Sequence, residues 1–300
     1  MTAERDERRR SFVVGQTEIA ARPLEAALYL VATPIGNLAD ITLRALETLA
    51  AADVLACEDT RVTRVLLDRY GISRPTTAYH EHNAAEAGPR LISALAEGRS
   101  VALVSDAGTP LISDPGYRLV EAARARGIRV VPIPGPSALL AALTASGLPS
   151  DSFFFAGFLP VKEGQRRTRL AELRGVPGTL IFYESPRRLA DSLASMRDVL
   201  GDRPAAIGRE LTKAFEEIRT GSLGDLAAHY GAAGAPKGEA VVCVAPPDGG
   251  PAETVDVDGL LLSLAGEMGA SRAAGEAARM TGRRKAELYQ RLLELKADGE

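Results

Sequence analysis

Tryptophan is absent from this 300-residue chain, and cysteine, histidine and aromatic residues are scarce, at two Cys, three His and 5 % aromatics. Cys57 in V-L-A-C-E and Cys243 in A-V-V-C-V lie far apart, each inside an apolar run. That usage fits buried thiols in a reducing compartment and leaves neither a disulfide framework nor a zinc site. No apolar run approaches the roughly 20 residues of a membrane span, so no membrane partner is expected. The charged start M-T-A-E-R-D-E-R-R-R-S lacks the apolar region of a secretory signal, which points to the cytoplasm. Residues 1–23 read as a disordered leader. Two nucleotide signatures are also missing. There is no G-x-x-x-x-G-K-[ST] loop, and the turn A-T-P-I-G-N-L (32–38) carries the single glycine Gly36 where a dinucleotide fold places G-x-G-x-x-G. The net charge of −3 does not advertise a nucleic-acid partner, although backbone binding needs only a local basic stripe.

What is present is an alternation of short apolar runs with amphipathic segments. Strands are expected at 28–32, 54–58, 76–79, 101–104 and 128–132, with helices between them at 42–51, 62–70, 84–97 and 117–126. Unbroken β runs separated by helices indicate a parallel sheet buried on both faces. After P-G-P-S and a helix at 138–146, strands follow one another more closely, at 153–156, 179–183, 205–208, 214–219 and 239–244, so a mixed or antiparallel sheet is expected. Helices near 166–173, 187–199 and 223–229 join them. The segment 245–252 reads as a Pro/Gly linker. A helical tail follows, with a Thr-Gly break at 281–282 at helix-turn-helix spacing. The expected layout is α/β throughout: a leader (1–23), an N-terminal domain (24–136), a second α/β domain (137–247) and a helical tail (253–300).

Five polar turns fall at the carboxyl ends of strands, the edge where open α/β sheets bind ligands: 32–38, 57–61, 79–83, 105–116 and 134–138. The fourth, S-D-A-G-T-P-L-I-S-D-P-G, is the densest in turn formers. Asp106 within it is suited either to a ligand ammonium or to tying the turn itself.

Six stretches in order, L-Y-L-V-A-T-P-I-G-N-L-A-D-I-T-L-R-A-L, C-E-D-T-R, V-S-D-A-G-T-P-L-I-S-D-P-G-Y, P-I-P-G-P-S-A, F-Y-E-S-P-R-R-L and R-E-L-T-K, make residues 28–244 resemble the tetrapyrrole methylase superfamily. Within it they are similar to the ribosomal branch, whose members methylate the 2′-oxygen of a cytidine in 16S ribosomal RNA. The resemblance implies a homodimeric S-adenosylmethionine enzyme with the cofactor folded into the cleft between two α/β domains. It also implies a substrate near the decoding site of small-subunit ribosomal RNA, free or in the assembled 30S subunit. It assigns cofactor contact to Gly36, the one glycine kept from the superfamily's G-x-G-x-G turn, where Ala32 and Pro34 fill the earlier positions. It extends this to Gly108, Thr109 and Pro110 with Ile112 after them, and to Ser137 and Ala138. Two alternatives stand beside it: a methylase of the same fold acting on a tetrapyrrole, and a nucleic-acid-binding regulator built on the tail.

Methylating a ribose hydroxyl calls for a base, or for a cation that lowers the hydroxyl pKa. Candidates are Glu184 in F-Y-E-S, otherwise a partner for Arg187 or Arg188; Lys213 beside Glu210, a base if nearby arginines lower its pKa; and Glu58 with Asp59 in C-E-D-T-R. His80 and His82 fit RNA contact or titration near neutral pH, and they lack a third ligand for a metal. Basic contacts to RNA are expected from Arg61, Arg166, Arg167, Arg169, Arg187 and Arg209, with the triplet 283–285 in the tail.

Overall fold

The computed structural model describes residues 10–113, 116–234, 237–247, 257–281 and 284–297. Residues 1–9 of the expected leader, the linker from 248 on, Asp114 and Pro115, and Gly282 and Arg283 in the tail lie outside them.

From Arg10 onward the expected leader is a hairpin, β1 (Ser11–Val14) paired antiparallel with β2 (Thr17–Ala20). Its two-residue turn opens on Gly15 at φ +63°, a conformation glycine adopts without penalty. Phe12 is buried, and Arg10 donates to the carbonyl of Ala51 and to Asp53 at 2.7 Å. A leader dominated by charge hid a short apolar alternation, and Phe12 with Ile19, paired across the hairpin, anchors it to the domain core.

The first sheet holds β3 (Leu28–Val31), β4 (Val54–Cys57), β5 (Thr76–Ala78), β6 (Val101–Val104) and β7 (Val130–Ile133), all parallel, in the order β5-β4-β6-β3-β7. Strand side chains alternate faces. Tyr29, Val31, Ala102 and Val104 therefore pack under helices α1 (Leu43–Ala51) and α2 (Thr60–Arg69), among Leu46, Leu49, Leu66 and Leu67. Leu28, Val101 and Leu103 meet α3 (Ala84–Ala96) and α4 (Tyr117–Ala125) on the other face through Leu91, Ile92 and Leu119. Each such leucine, fully buried, contributes about 1.5–3 kcal/mol. The helix starts follow local chemistry: Thr42 accepts from the Ala45 amide and Asp59 from the Arg61 amide, capping α1 and α2.

Helix α5 (Ala138–Ala145) crosses to the second sheet, formed by β8 (Phe153–Phe158), β9 (Thr179–Glu184), β10 (Pro204–Arg209), β11 (Glu217–Ser222) and β12 (Ala240–Val244). Its order is β11-β10-β12-β9-β8. The expected mixed sheet is present, with only the β8/β9 pair parallel. Helix α5 packs on one face through Leu139, Ala142 and Leu143 against Ile181, Ala206 and Val241. The other face carries α6 (Glu163–Leu173), α7 (Leu189–Leu200) and α8 (Leu223–Ala233) around Phe182, Ile207 and Val242. Both cysteines are buried and unpaired, and burial drives the Cys243 thiol up to about 12.

The tail is a separate compact unit of three helices, α9 (Val257–Glu267), α10 (Ala270–Thr281) and α11 (Lys285–Ala297). They close on a small core of Leu261, Ala273, Ala274, Ala277, Leu288 and Leu292, clamped by a two-pronged Arg291–Asp258 pair. No helix among the described residues is long and apolar enough to cross a membrane.

Candidate active-site cleft

Three loops leave the carboxyl ends of β3, β6 and β7 and are sewn together by backbone groups. Thr33 and Gly108 exchange amide-to-carbonyl bonds of 2.9 and 3.0 Å, and the Thr33 hydroxyl donates to the Ser105 carbonyl at 3.1 Å. Gly108 sits at φ +79°, and a Cβ there would lie 3.4 Å from Ile35 and 3.8 Å from the Pro136 carbonyl. Leu111 and Ser113 also adopt left-handed backbone, at φ +74° and +65°. Such conformations cost about 1–3 kcal/mol each in a non-glycine residue and gather at binding sites. Here they present Ile112 to the space above the loop.

That space is a cleft of about 460 Å³. From the first sheet and the start of α5 it is lined by Asp106, Gly108, Thr109, Ile112, Ser137 and Ala138, six residues assigned to cofactor contact, and by Ile35. The second sheet adds Phe158, Tyr183, Glu184, Gly208, Leu211 and Glu239. Two assigned residues are not in the lining. Pro110 is buried beneath the turn, and Gly36 faces Lys213, whose Cγ would lie 2.5 Å from a Cβ at that position. Gly36 is small so that the R-E-L-T-K turn can approach, and the neighbouring Asn37 amide donates to the Thr212 hydroxyl at 3.1 Å.

The donor set suits a cofactor without phosphate. Ser137 holds the N-cap position of α5 without making a side-chain cap bond, which leaves its hydroxyl and the positive helix end for a carboxylate. Thr109 adds a hydroxyl, and Ile35 and Ile112 add an apolar wall. Asp106 accepts from the Asp59 amide at 2.9 Å, so it ties the C-E-D-T-R turn across to its own loop while still lining the cleft.

The three catalytic candidates are placed differently from one another. Glu184 lines the cleft, but its side chain has no exposed surface and is fully partnered. It accepts from the Ser185 amide at 2.7 Å and the Ser192 hydroxyl at 2.6 Å, and it pairs with Arg188 at 2.7 Å. Lys213 is 2.9 Å from Glu210 and 3.3 Å from Glu239. Burial alone would lower its pKa, but the two carboxylates outweigh this and hold it above the ordinary lysine value. The expectation of a lysine lowered by arginines is therefore corrected: its neighbours are acids, and it is an ammonium at neutral pH. Glu58 stands outside the lining, and burial, followed by the Asp106 charge, raises its carboxyl above the usual range. His80 and His82 lie in a turn with ring centres 6.1 Å apart, and Nδ1 of His80 is buried without a hydrogen-bond partner.

The basic candidates divide. Arg166 is buried, donating to the Ser195 hydroxyl at 3.0 Å and the Val161 carbonyl at 3.1 Å, so it holds α6 to α7 and is not a surface contact. Arg167 pairs with Asp198 and Arg169 with Glu172, while Arg209 bridges to Glu217 in the facing strand. Arg61 is exposed but doubly bonded to Asp59, whose carboxyl it holds down at about 2. Arg187 is exposed. The sequence reasoning missed Phe158, Tyr183 and Glu239. The F-F-F-A-G-F run carried a signal for the first, a glycine inside a strand pattern, whereas Glu239 had none.

Paired α/β sheets whose glycine- and proline-turned loops meet over a phosphate-free cofactor cleft define the architecture of a two-domain methylase. The chain belongs to the tetrapyrrole (corrin/porphyrin) methylase family, whose model matches residues 27–227. A second model, the RsmI C-terminal helix-turn-helix domain, matches residues 251–296. The chain is 75 % identical over 285 residues to the ribosomal RNA small subunit methyltransferase I of Mesorhizobium japonicum, covering 95 % of this chain and 97 % of that one. It is 51 % identical over 272 residues to the protein of the same name from Pseudomonas aeruginosa, covering 89 % and 96 %. Among solved structures, uroporphyrin-III C-methyltransferase of Thermus thermophilus, complexed with S-adenyl homocysteine, has the same fold. Its TM-score is 0.52 at 22 % identity, over 72 % of this chain and 96 % of that one.

Proposed function

We propose that this protein transfers a methyl group from S-adenosylmethionine to the 2′-oxygen of a cytidine ribose in small-subunit ribosomal RNA, near the decoding site. The observation that carries the reading is the identity of 75 % over 95 % of the chain to a ribosomal RNA small subunit methyltransferase I, together with a cleft whose polar groups suit this cofactor. The tetrapyrrole alternative rests on the broad family match and on neighbours of low identity, and the regulator alternative on the short C-terminal match. In this reading residues 24–136 carry the cofactor turns, 137–247 the substrate side and 253–300 an appendage. The protein acts in the cytoplasm as a homodimer on ribosomal RNA or the 30S subunit. Exposed apolar side chains such as Leu43, Val65 and Phe215 offer surface of the kind a second copy covers.

Thr109, Ser137 and Asp106 hold the polar ends of the cofactor, and Ile35, Ile112 and Ala138 the sulfonium side. Bound there, S-adenosylmethionine supplies an activated methyl; transfer forms the O–C bond, breaks S–C and frees the hydroxyl proton. Holding the ribose oxygen in line contributes several kcal/mol by proximity. Lys213 keeps its charge at the rim and stabilises the oxygen as it loses its proton. Glu184 is fully partnered, so the carboxylate that takes the proton is Glu239, which lines the cleft with a side chain 78 % exposed.

The test is methyl transfer from labelled cofactor to 30S subunits and to naked 16S RNA, followed by alkaline hydrolysis. Label is expected in alkali-resistant dinucleotides, because a 2′-O-methyl blocks cleavage of the adjacent phosphodiester. Label found only in mononucleotides would refute 2′-O chemistry.

A further inference from the structure

Strand β8 contains an extra residue. Phe155 is opposite Ile181, but the next pairs are Gly157 with Phe182 and Phe158 with Tyr183, so Ala156 is bulged out of the ladder. In a regular strand residues three apart point to opposite faces. The bulge turns Phe158 onto the same face as Phe155, Ile181 and Tyr183, toward the cleft and away from the buried layer that holds Phe182 and Leu159. Bulges re-aim side chains in this way beside functional sites. Gly157, at φ +66°, supplies the left-handed backbone, and a Cβ there would lie 3.8 Å from the hydroxyl of Ser113 in the strained cofactor loop.

The outcome is an exposed aromatic ring at the mouth of a binding cleft. Phe158 is 56 % exposed, and its ring stands edge-to-face with Tyr183, centres 5.6 Å apart. Phe155 braces Tyr183 from its other neighbour at 4.8 Å. Among the described residues of the lining, Phe158 and Tyr183 are the two aromatics and none is a lysine or an arginine. An enclosure without cations does not grip phosphate; it suits the uncharged part of a nucleotide. A base whose ribose enters such a cleft leaves its RNA stack, and an aromatic side chain restores the stacking it gives up.

We propose that Phe158, braced by Tyr183, is the stacking platform for the nucleobase of the target nucleotide, an inference that rests on the RNA-methylating reading above. Phosphates on either side fall to charged groups outside the lining, the exposed Arg187 among them.

The experiment compares the full-length wild type with Phe158→Ala, Phe158→Leu and Phe158→Tyr. It measures S-adenosylmethionine affinity by calorimetry, oligomeric state by sedimentation, and kcat and KM for methylation of 30S subunits. Base stacking predicts that Phe158→Ala loses about 5- to 150-fold in kcat/KM with cofactor affinity and oligomeric state unchanged. Unchanged cofactor affinity also shows that the variant is folded. Phe158→Tyr should restore the rate, and Phe158→Leu should not. A parallel loss of cofactor affinity would mean that the ring covers the cofactor's adenine, and a changed oligomeric state that it belongs to a subunit interface; either overturns the platform. Full rescue by leucine overturns it too. Wild type active with Phe158→Ala equally active refutes the platform alone, whereas a wild type inactive on 30S subunits refutes the RNA reading beneath it.

Discussion

In the first sheet each strand bordering the cleft ends in a turn whose backbone shapes the site, as where Thr33 and Gly108 exchange amide bonds and Leu111 and Ser113 sit in left-handed conformations. In the second sheet the border is made of side chains held by pairing partners: Glu184 by Ser185, Ser192 and Arg188, Lys213 by Glu210 and Glu239, and Phe158 by a bulge against Tyr183. In the proposed reading the difference follows from what each half receives. A small cofactor of constant shape can be met by fixed amides and carbonyls, whereas a segment of RNA calls for charge and stacking surface that only side chains supply.

The comparison can be broken at three points. The largest effect is expected for Lys213→Met, with kcat down about 10²- to 10³-fold and cofactor affinity unchanged in a binding titration. The carboxylates beside Lys213 raise its pKa, so its charge is complete below the ordinary lysine value and is lost only as pH rises past the raised one. The wild-type rate should accordingly show no lysine-dependent fall between about pH 7 and 10. A rise in that window that vanishes in Lys213→Met would mean that the lysine acts as a base. Next is Arg166→Ala, which leaves the Ser195 hydroxyl and the Val161 carbonyl without their donor and should cost about 1–3 kcal/mol in denaturant unfolding. Arg167→Ala, one residue on and at the surface, should stay within about 0.5 kcal/mol; equal losses would dissolve the distinction between them. The smallest is Gly116→Ala. A Cβ there would lie 2.9 Å from Leu103 and 3.1 Å from Leu111, at φ +135°, so the cofactor turn shifts at a cost of about 1 kcal/mol. Cofactor affinity should fall about fivefold while RNA affinity stays constant; the reverse pattern would show that the two halves do not divide the labour in this way.

Much of the fold was legible because it depends on local pattern. The run Val101–Val104 is buried throughout, as an unbroken apolar strand in a parallel sheet must be, and Thr42 and Asp59 stand where their helices begin. The hairpin at 11–20 was lost in a stretch dominated by charge, since its alternation covers only four residues a side. Within the site, the glycine-rich turn of 105–116 was legible for the same local reason, and four of its assigned residues line the cleft beside Ser137 and Ala138. The roles of the charged residues were not. R-R-T-R in a helix looks like a basic face, yet Arg166 turns inward because Ser195 and the Val161 carbonyl await it there. R-E-L-T-K looks like a lysine among arginines, yet Glu239, distant in sequence, closes on it across the sheet.

By itself the sequence determined the strand and helix order from Leu28 to Val244, the turns at the strand ends and the absence of a phosphate-binding loop, because periodicity and backbone freedom are properties of neighbouring residues. Only the tertiary structure decided which charges face water, that Lys213 keeps its proton, that Gly36 makes room for a lysine and that a single extra residue in β8 turns Phe158 toward the cleft. Those outcomes depend on partners many residues away, and burial and Coulomb energy are set by distance in space.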